Sequence, residues 1–453
     1  MNREEHSTEV PARDKQVEED LWQRYGAEHG VWTEPMLMAL ERGLKGNKWF
    51  SLIDKVWSDR TLEQAWEKVK SNAGACGVDG ITIGRFAKDS QNRLLAVKEH
   101  LKRGTYQPKP VKRVWIDKLG SAEKRPLGIP TVGDRVVQAA LRMVIEPIFE
   151  SQFADGSNGF RPARGCKDAL RQVEGRLQAD YCHVVDVDIR GYFDTIPHEG
   201  LMAQVRERIA DGRVLGLIEG FLKQEVMELT DWQQAKEEGT PQGGVISPLL
   251  ANIYLDPLDK KMESEGFAMV RYADDIVVLC RSREEAQAAM EKIEAWMEAA
   301  GLTLHPEKTR IVDMNEAGSH FDFLGYRFKR SGRGKLLRFV RPKSLGKLKE
   351  TLKPKVRRNN GRSLEAIIEE VNRTLRGWFA YFKHSHVSEL EDIDQWLRGR
   401  LRTILRKRRR GKGRSRGDDH HRWPNHYFAG LGLFCLLEAR ELEIISLRYG
   451  ANH

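Results

Sequence analysis

Three aspartates offer the chemistry of greatest consequence in this sequence. Asp274 and Asp275 stand side by side in RYADDIVVLC, residues 271–280, between runs of strand-forming apolar residues, and Asp188 lies in a second such run, HVVDVDIR, residues 183–190. Adjacent carboxylates repel, and an unpaired buried carboxylate is costly, so a cation must answer them. Arg271 can do so as a structural ion pair. The other answer is a metal: oxygen-only ligands suit Mg²⁺, and two such ions about 4 Å apart stabilise both the attacking and the leaving oxygen of a phosphoryl transfer. Adjacency alone is a weak sign, because Asp418 and Asp419 also adjoin and read as solvent-exposed.

The elements around the acids follow from periodicity. Alternation in HVVDVDIR predicts a strand with Val185 and Val187 on one face and Asp186 and Asp188 on the other. GYFDTIPH then turns into a helix, with Asp194 as its cap. Residues 269–272 and 276–280 read as two short strands joined by ADD, so the acids occupy a hairpin turn and can converge on one point. Upstream, Leu62, Ala65, Trp66 and Val69 recur at helical spacing with Thr61 as cap, and GACGVDGITIG ends that helix. Residues 106–130 predict a hairpin, with VKRVWI and KRPLGIP as arms and LGSAE as turn. Helices follow at Asp134–Phe149 and Arg283–Ala300, and the chain after LGYRF, residues 324–328, reads as Arg-rich helices. The fold class is α+β: one mostly antiparallel sheet with helices packed on it, then a helical appendage.

Charge separates the two parts. From Arg341 to Arg416 there are 23 Lys or Arg against 8 Asp or Glu, a surplus of 15 in a chain whose net charge is +10, so the remainder is net negative by five. RKRRRGKGRSR, residues 406–416, holds 8 basic residues in 11 and no acid, which points to a polyanion; a solvated helix face is the plainer reading. The sequence has no P-loop and no H-E-x-x-H, and its one G-x-S-x-G, Gly413 to Gly417, lies in the basic run without a strand before it. Five scattered cysteines with no C-x-x-C argue against a disulfide framework or zinc ribbon. The polar first twenty residues are unlike a secretory signal, and the longest uncharged run, Gly239 to Leu255, holds two prolines, Gln242, Ser247 and Asn252. A cytoplasmic protein without a membrane anchor is expected.

In order along the chain stand KRPLGIPT (124–131), NGFRPARG (158–165), DVDIRGYFDTIPH (186–198), GTPQGGVISPLLANIYLDPLD (239–259), YADD (272–275), GLTLHPEKT (301–309), FLGY (323–326), LRGWFAYF (375–382) and WPNHYF (423–428). This series resembles a bacterial group II intron-encoded reverse transcriptase and maturase, of the compact type lacking an endonuclease domain. The resemblance implies a right-hand polymerase of the α+β class. It would comprise an N-terminal helical extension (1–60), fingers (61–180), a palm with antiparallel sheet (181–335), a helical thumb or maturase domain (336–405) and a small basic C-terminal DNA-binding region (406–453).

It further implies that Asp188, Asp274 and Asp275 are the catalytic acids holding two Mg²⁺ ions. Lys118 and Arg125 resemble a triphosphate clamp, for which a guanidinium fork and an ammonium point charge are suited. Tyr192 resembles the aromatic that stacks beneath the incoming sugar and rejects a 2′-hydroxyl, with Phe193 as the alternative. Gln242 in PQGG would meet a nucleotide where glycines allow close backbone approach, and Lys308 would lie near the leaving phosphate. Leu375, Trp378, Phe379 and Phe382 read as core, while Arg373, Arg376 and Lys383, with Arg406, Lys407, Arg408, Arg409 and Arg410, would grip RNA or DNA. The implied partners are intron RNA, an RNA template, a DNA primer or target and deoxynucleoside triphosphates. The implied activity is RNA-directed DNA synthesis with assistance to splicing and retrohoming. Two rivals share the sequence: a domesticated reverse transcriptase serving defence or repair, and an RNA-binding splicing factor without polymerase activity.

Overall fold

The structure, a computed structural model, describes residues 21–43, 46, 48–117, 124–228, 231–233, 237–241 and 243–450. It divides into two units, Met1–Ile311 and Val312–His453, a division that falls inside the span 181–335.

The first unit opens with helices. α1 (Asp59–Asn72) is capped by the Ser58 hydroxyl, which accepts from the Thr61 amide; Thr61, expected as the cap, is instead buried in the helix. α2 (Ser90–Arg103) ends at Gly104 in a left-handed conformation. β1 (Val111–Asp117) and β2 (Lys124–Ile129) pair antiparallel, as the hairpin pattern predicts. α3 (Val132–Glu150), capped by Thr131, is apolar nearly all round and runs through the core. α4 (Cys166–Gln178) leads to β3 (His183–Asp188), in which Val184, Val185 and Val187 are buried and Asp186 and Asp188 half-buried.

A short helix, α5 (Tyr192–Thr195), then turns the chain into α6 (His198–Arg208) and α7 (Gly212–Leu222). The N-cap of α5 is Gly191, at φ 61°, where a left-handed residue is needed; Asp194 sits inside the first turn and does not cap it. β4 (Val226–Glu228) and β5 (Asp231–Gln233) follow, then α8 (Ser247–Ser264), β6 (Ala268–Tyr272), β7 (Asp275–Cys280) and α9 (Arg283–Ala299).

The strands form separate sheets rather than the single sheet expected. One has the order β2-β1-β4-β5, with β1 and β4 parallel; another has the order β6-β7-β3-β8, where β8 is Arg310–Asp313. Each hairpin is completed by a strand distant in sequence, β1 by β4 and β7 by β3. One apolar core, built from α1, α3, α7, α8, α9 and the inner faces of β3 and β7, joins these layers.

The second unit begins with a strand group that reading by helical period missed. β9 (Phe321–Phe323), β10 (Tyr326–Arg330) and β11 (Leu336–Val340) form an antiparallel sheet, with Phe321 and Phe328 stacked at 5.2 Å. α10 (Pro342–Leu352), α11 (Leu364–Phe382) and α12 (Val387–Arg408) supply the second core, which holds Leu375 and Phe379 with Trp378 packed against it; Phe382 is also buried, against the rings of Tyr326 and Trp378. α13 (Gly417–Arg422), α14 (Asn425–Gly430) and α15 (Leu436–Gly450) complete the chain as described. Among the described residues no helix is long and apolar enough to cross a membrane.

Candidate active site

β3 and β7 run antiparallel, and their register places Asp188 opposite Asp275. β6 and β7 pair from Tyr272 with Asp275 onward, leaving Ala273 and Asp274 in the turn. Ala273 takes φ 59°, a conformation that L-residues adopt at a cost unless neighbours enforce it. The enforcement is legible in the hydrogen bonds.

Arg271, wholly excluded from solvent, donates to both carboxylate oxygens of Asp259, to Asn252 Oδ1 at 2.9 Å, to Ser157 Oγ at 2.8 Å and to the Ala273 carbonyl at 3.0 Å. Its backbone carbonyl accepts from the Asn158 amide, and its amide donates to the Gly156 carbonyl. Asn252 in turn donates to the Gly159 carbonyl at 2.7 Å. The cation of RYADD therefore belongs to Asp259, twelve residues earlier on α8, and not to Asp274 or Asp275. A guanidinium with five donors suits this hub, because each buried donor meets an oxygen. Gly159 lies so close to the turn that a Cβ there would stand 2.3 Å from the Ala273 nitrogen.

Asp274 remains accessible to solvent though packed elements surround it. Its carboxyl is pushed above the usual carboxylate range, first by desolvation and further by the negative charge of Asp188, while Arg125 and Arg271 pull the other way. Arg125, on the exposed arm β2, is thus close enough for its charge to reach Asp274. Asp188 has a cation of its own: Lys308 Nζ lies 3.1 Å from both of its oxygens. The His305 amide also donates to the Asp188 carbonyl, which ties the HPEKT turn to the end of β3. Lys308, expected near a leaving phosphate, thus stands at the acid pair.

Among the described residues, no group of three or more His, Cys, Asp or Glu converges as a metal cluster. Asp274 lies in the turn and Asp275 opens β7 opposite Asp188, so the three acids stand at one end of this sheet. The fit to a divalent ion rests on Asp188 and Asp274: all-oxygen donors whose mutual repulsion a cation would relieve.

Other expected contacts are redistributed. Tyr192 is 2% exposed and its hydroxyl donates to the Ala251 carbonyl, so it is core, and its side chain cannot lie beneath a bound sugar. Phe193 is half-buried and reaches the surface, which moves that expectation to the alternative residue. Gly243, at φ 114°, packs on β2, where a Cβ would stand 2.3 Å from the Gly128 carbonyl oxygen; strand packing accounts for this glycine of PQGG. Lys118 and Gln242 lie outside the described residues.

In the second unit, Arg373 and Arg376 are exposed on α11, Arg376 over the Phe434 ring at 5.6 Å. Lys383 is committed to an ion pair with Glu443, and Arg406 to Asp419 at 2.8 Å. Asp419, expected in solvent, is 3% exposed because it also accepts from the Arg416 amide to start α13. Lys407 donates to Asn359, Arg408 to the Arg362 carbonyl, and Arg409 and Arg410 are exposed. A cavity of about 760 Å³ nearby is lined by Lys355, Arg357, Arg358, Arg362 and Arg400, with Glu370 its single acid. Sequence reading missed this cavity because its cations come from two separate stretches, 355–362 and Arg400 on α12.

Residues 112–328 match the family described as reverse transcriptase (RNA-dependent DNA polymerase). Residues 345–423 match the group II intron, maturase-specific domain. The chain is 37% identical over 252 residues to the group II intron-encoded protein LtrA of Lactococcus lactis subsp. cremoris, covering 54% of this chain and 41% of that one. It is 33% identical over 330 residues to protein YkfC of Escherichia coli (strain K12), covering 63% of this chain and 85% of the relative. A putative COX1/OXI3 intron 2 protein of Saccharomyces cerevisiae is 35% identical over 217 residues, 47% of this chain and 25% of that one. The chain belongs to the reverse transcriptase family, in the branch whose members carry a group II intron maturase-specific domain. It spans about two fifths of the length of LtrA.

Proposed function

We propose that the protein is an RNA-directed DNA polymerase of bacterial type that also binds group II intron RNA as a maturase. The observation that carries the polymerase reading is the placement of Asp188, at the end of β3, opposite Asp275 and beside the turn that holds Asp274, whose carboxyl is raised by desolvation and by the charge of Asp188.

Asp188, Asp274 and Asp275 would hold Mg²⁺. When bound there, the ions supply activation of a primer 3′-hydroxyl and neutralise charge on departing pyrophosphate oxygens. The protein's own groups position the reactants. Arg125 offers a fork of donors to the triphosphate of a deoxynucleotide, and Lys308 can exchange Asp188 for a phosphate oxygen as the substrate enters. Phe193 would face the sugar. The Arg271 hub fixes the peptide before Asp274, so little reorganisation is required when charge develops.

For the chain as a whole we propose fingers at 61–180, a palm at 181–335, a thumb or maturase domain at 336–405 and a basic DNA-binding region at 406–453. The basic cavity, with Arg373 and Arg376, would take the phosphates of template or intron RNA.

Extension of a DNA primer on an RNA template with Mg²⁺ and deoxynucleotides tests the reading, with binding of the same RNA measured in parallel. Template-dependent product is expected. RNA binding without product would leave a splicing factor whose polymerase site is vestigial.

A further inference from the structure

A bridge of backbone joins the turn after β3 to the arm β2. Residues 237–241 run antiparallel to 193–198: the Gly239 amide donates to the Ile196 carbonyl at 2.8 Å, the Thr240 amide to the Phe193 carbonyl at 2.7 Å, and the His198 amide to the Glu237 carbonyl at 3.1 Å. The Gly244 amide and the Ser247 hydroxyl both donate to the Pro241 carbonyl, which ties the next residues to this piece. Gly243 then rests on Gly128 of β2, three residues from Arg125.

Two buried polar side chains from core helices grip the bridge near its ends. His198, 7% exposed at the start of α6, donates from Nε2 to the Gly239 carbonyl at 2.6 Å. Gln138, 1% exposed on α3, accepts from the Val245 amide at 2.7 Å. The other ring nitrogen of His198, Nδ1, is buried without a hydrogen-bond partner among the described residues. Such a nitrogen has lost water and gained nothing, so an imidazole here is a poor choice for packing alone. What the residue gains is one hydrogen bond, and that bond fixes the bridge.

The arm β2 is in need of support. It is the edge of its sheet, bonded to β1 on one side, and it is exposed at Lys124 and Arg125. Arg125 nonetheless stands where its charge reaches Asp274. We infer that His198, with Gln138, is a positioning residue for nucleotide binding: through the bridge it holds β2 where the Arg125 guanidinium can meet a triphosphate beside the acids. This rests on the polymerase reading and on Arg125 as part of its triphosphate site.

Single-nucleotide extension on an RNA template tests it as a double-mutant cycle. His198→Ala should raise KM for the deoxynucleotide about tenfold and leave kcat within about threefold, because a ground-state contact to the triphosphate is what loosens. His198→Gln, whose amide nitrogen can stand near the place of Nε2, should recover most of the loss; the shorter His198→Asn should not. In an Arg125→Ala background, His198→Ala should add little to KM, since both remove the same contact. A parent-like KM in His198→Ala overturns the inference, as does an Arg125→Ala variant with the parent's KM. An undiminished effect of His198→Ala beside Arg125→Ala also overturns it, since that marks a general loss of packing. If His198→Ala does not fold, Gln138→Met with and without Arg125→Ala carries the same comparison. A parent that makes no product overturns the polymerase reading itself, and is told apart because no KM can then be measured.

Discussion

At the scale of single residues, Arg271 and Asp274 illustrate opposite uses of burial. Arg271 is satisfied by Asp259 and three further oxygens, so removing it leaves a buried carboxylate without its partner. Arg271→Ala should therefore destabilise the protein by about 3–5 kcal/mol in chemical denaturation. Asp274 is the reverse case. Its raised carboxyl means that the folded state holds the proton more tightly than the unfolded state, so ionisation at neutral pH costs stability. Asp274→Asn should be at least as stable as the parent at pH 7, with the difference fading as pH falls through the ordinary carboxylate range, because both forms are then neutral. Thermal unfolding across pH 3 to 7 checks this. The strands and the turn that carry Asp188, Asp274 and Asp275 were legible in the sequence because alternation and turn chemistry are local. The Arg271–Asp259 pair was not, because its members lie on different elements, and adjacency in sequence suggested Asp274 or Asp275 as the partner instead. Asp419 was misread for a related reason: capping a short helix against Arg406 buries a residue that composition places in solvent.

At the scale of elements, the loop before α4 and the β6–β7 turn are packed backbone to backbone. Gly159→Ala would insert a Cβ 2.3 Å from the Ala273 nitrogen and displace the turn that carries Asp274. A shift of about 1 Å at reacting groups can cost on the order of 100-fold in rate, so primer extension should fall by about that factor while RNA affinity holds. A smaller effect is expected at α1, where Ser58→Ala removes the cap and should cost about 1 kcal/mol. Helices α3 and α9 and the two hairpins were read correctly from periodicity, since their apolar faces are wide and their breakers clear. The division into separate sheets and the strand β11 were not, because strand order is set by tertiary pairing, and LLRFV is a short apolar run that periodicity alone assigns poorly.

At the scale of the whole molecule, charge separates an acid-bearing unit from a basic one. Replacing both Arg373 and Arg376 with Gln should weaken RNA binding across sequences and flatten the slope of log affinity against log salt by about 1.4 to 1.8, since each phosphate contact contributes roughly 0.7 to 0.9. Lys383→Gln should change the slope much less, because its ammonium is already paired with Glu443. The surplus of positive charge was legible from composition. Which cations face solvent was not, because that depends on the acids the fold brings to them.

The central claim is that the Asp188 and Asp274 pair performs nucleotidyl transfer while the basic unit binds RNA independently. Primer extension by Asp188→Asn and Asp274→Asn on an RNA template with Mg²⁺, each beside its RNA affinity, tests it most directly. The account predicts loss of extension by at least 100-fold in both variants, on the order of removing a positioned catalytic group, with RNA affinity within twofold of the parent. Extension at the parent's rate by either variant would contradict it.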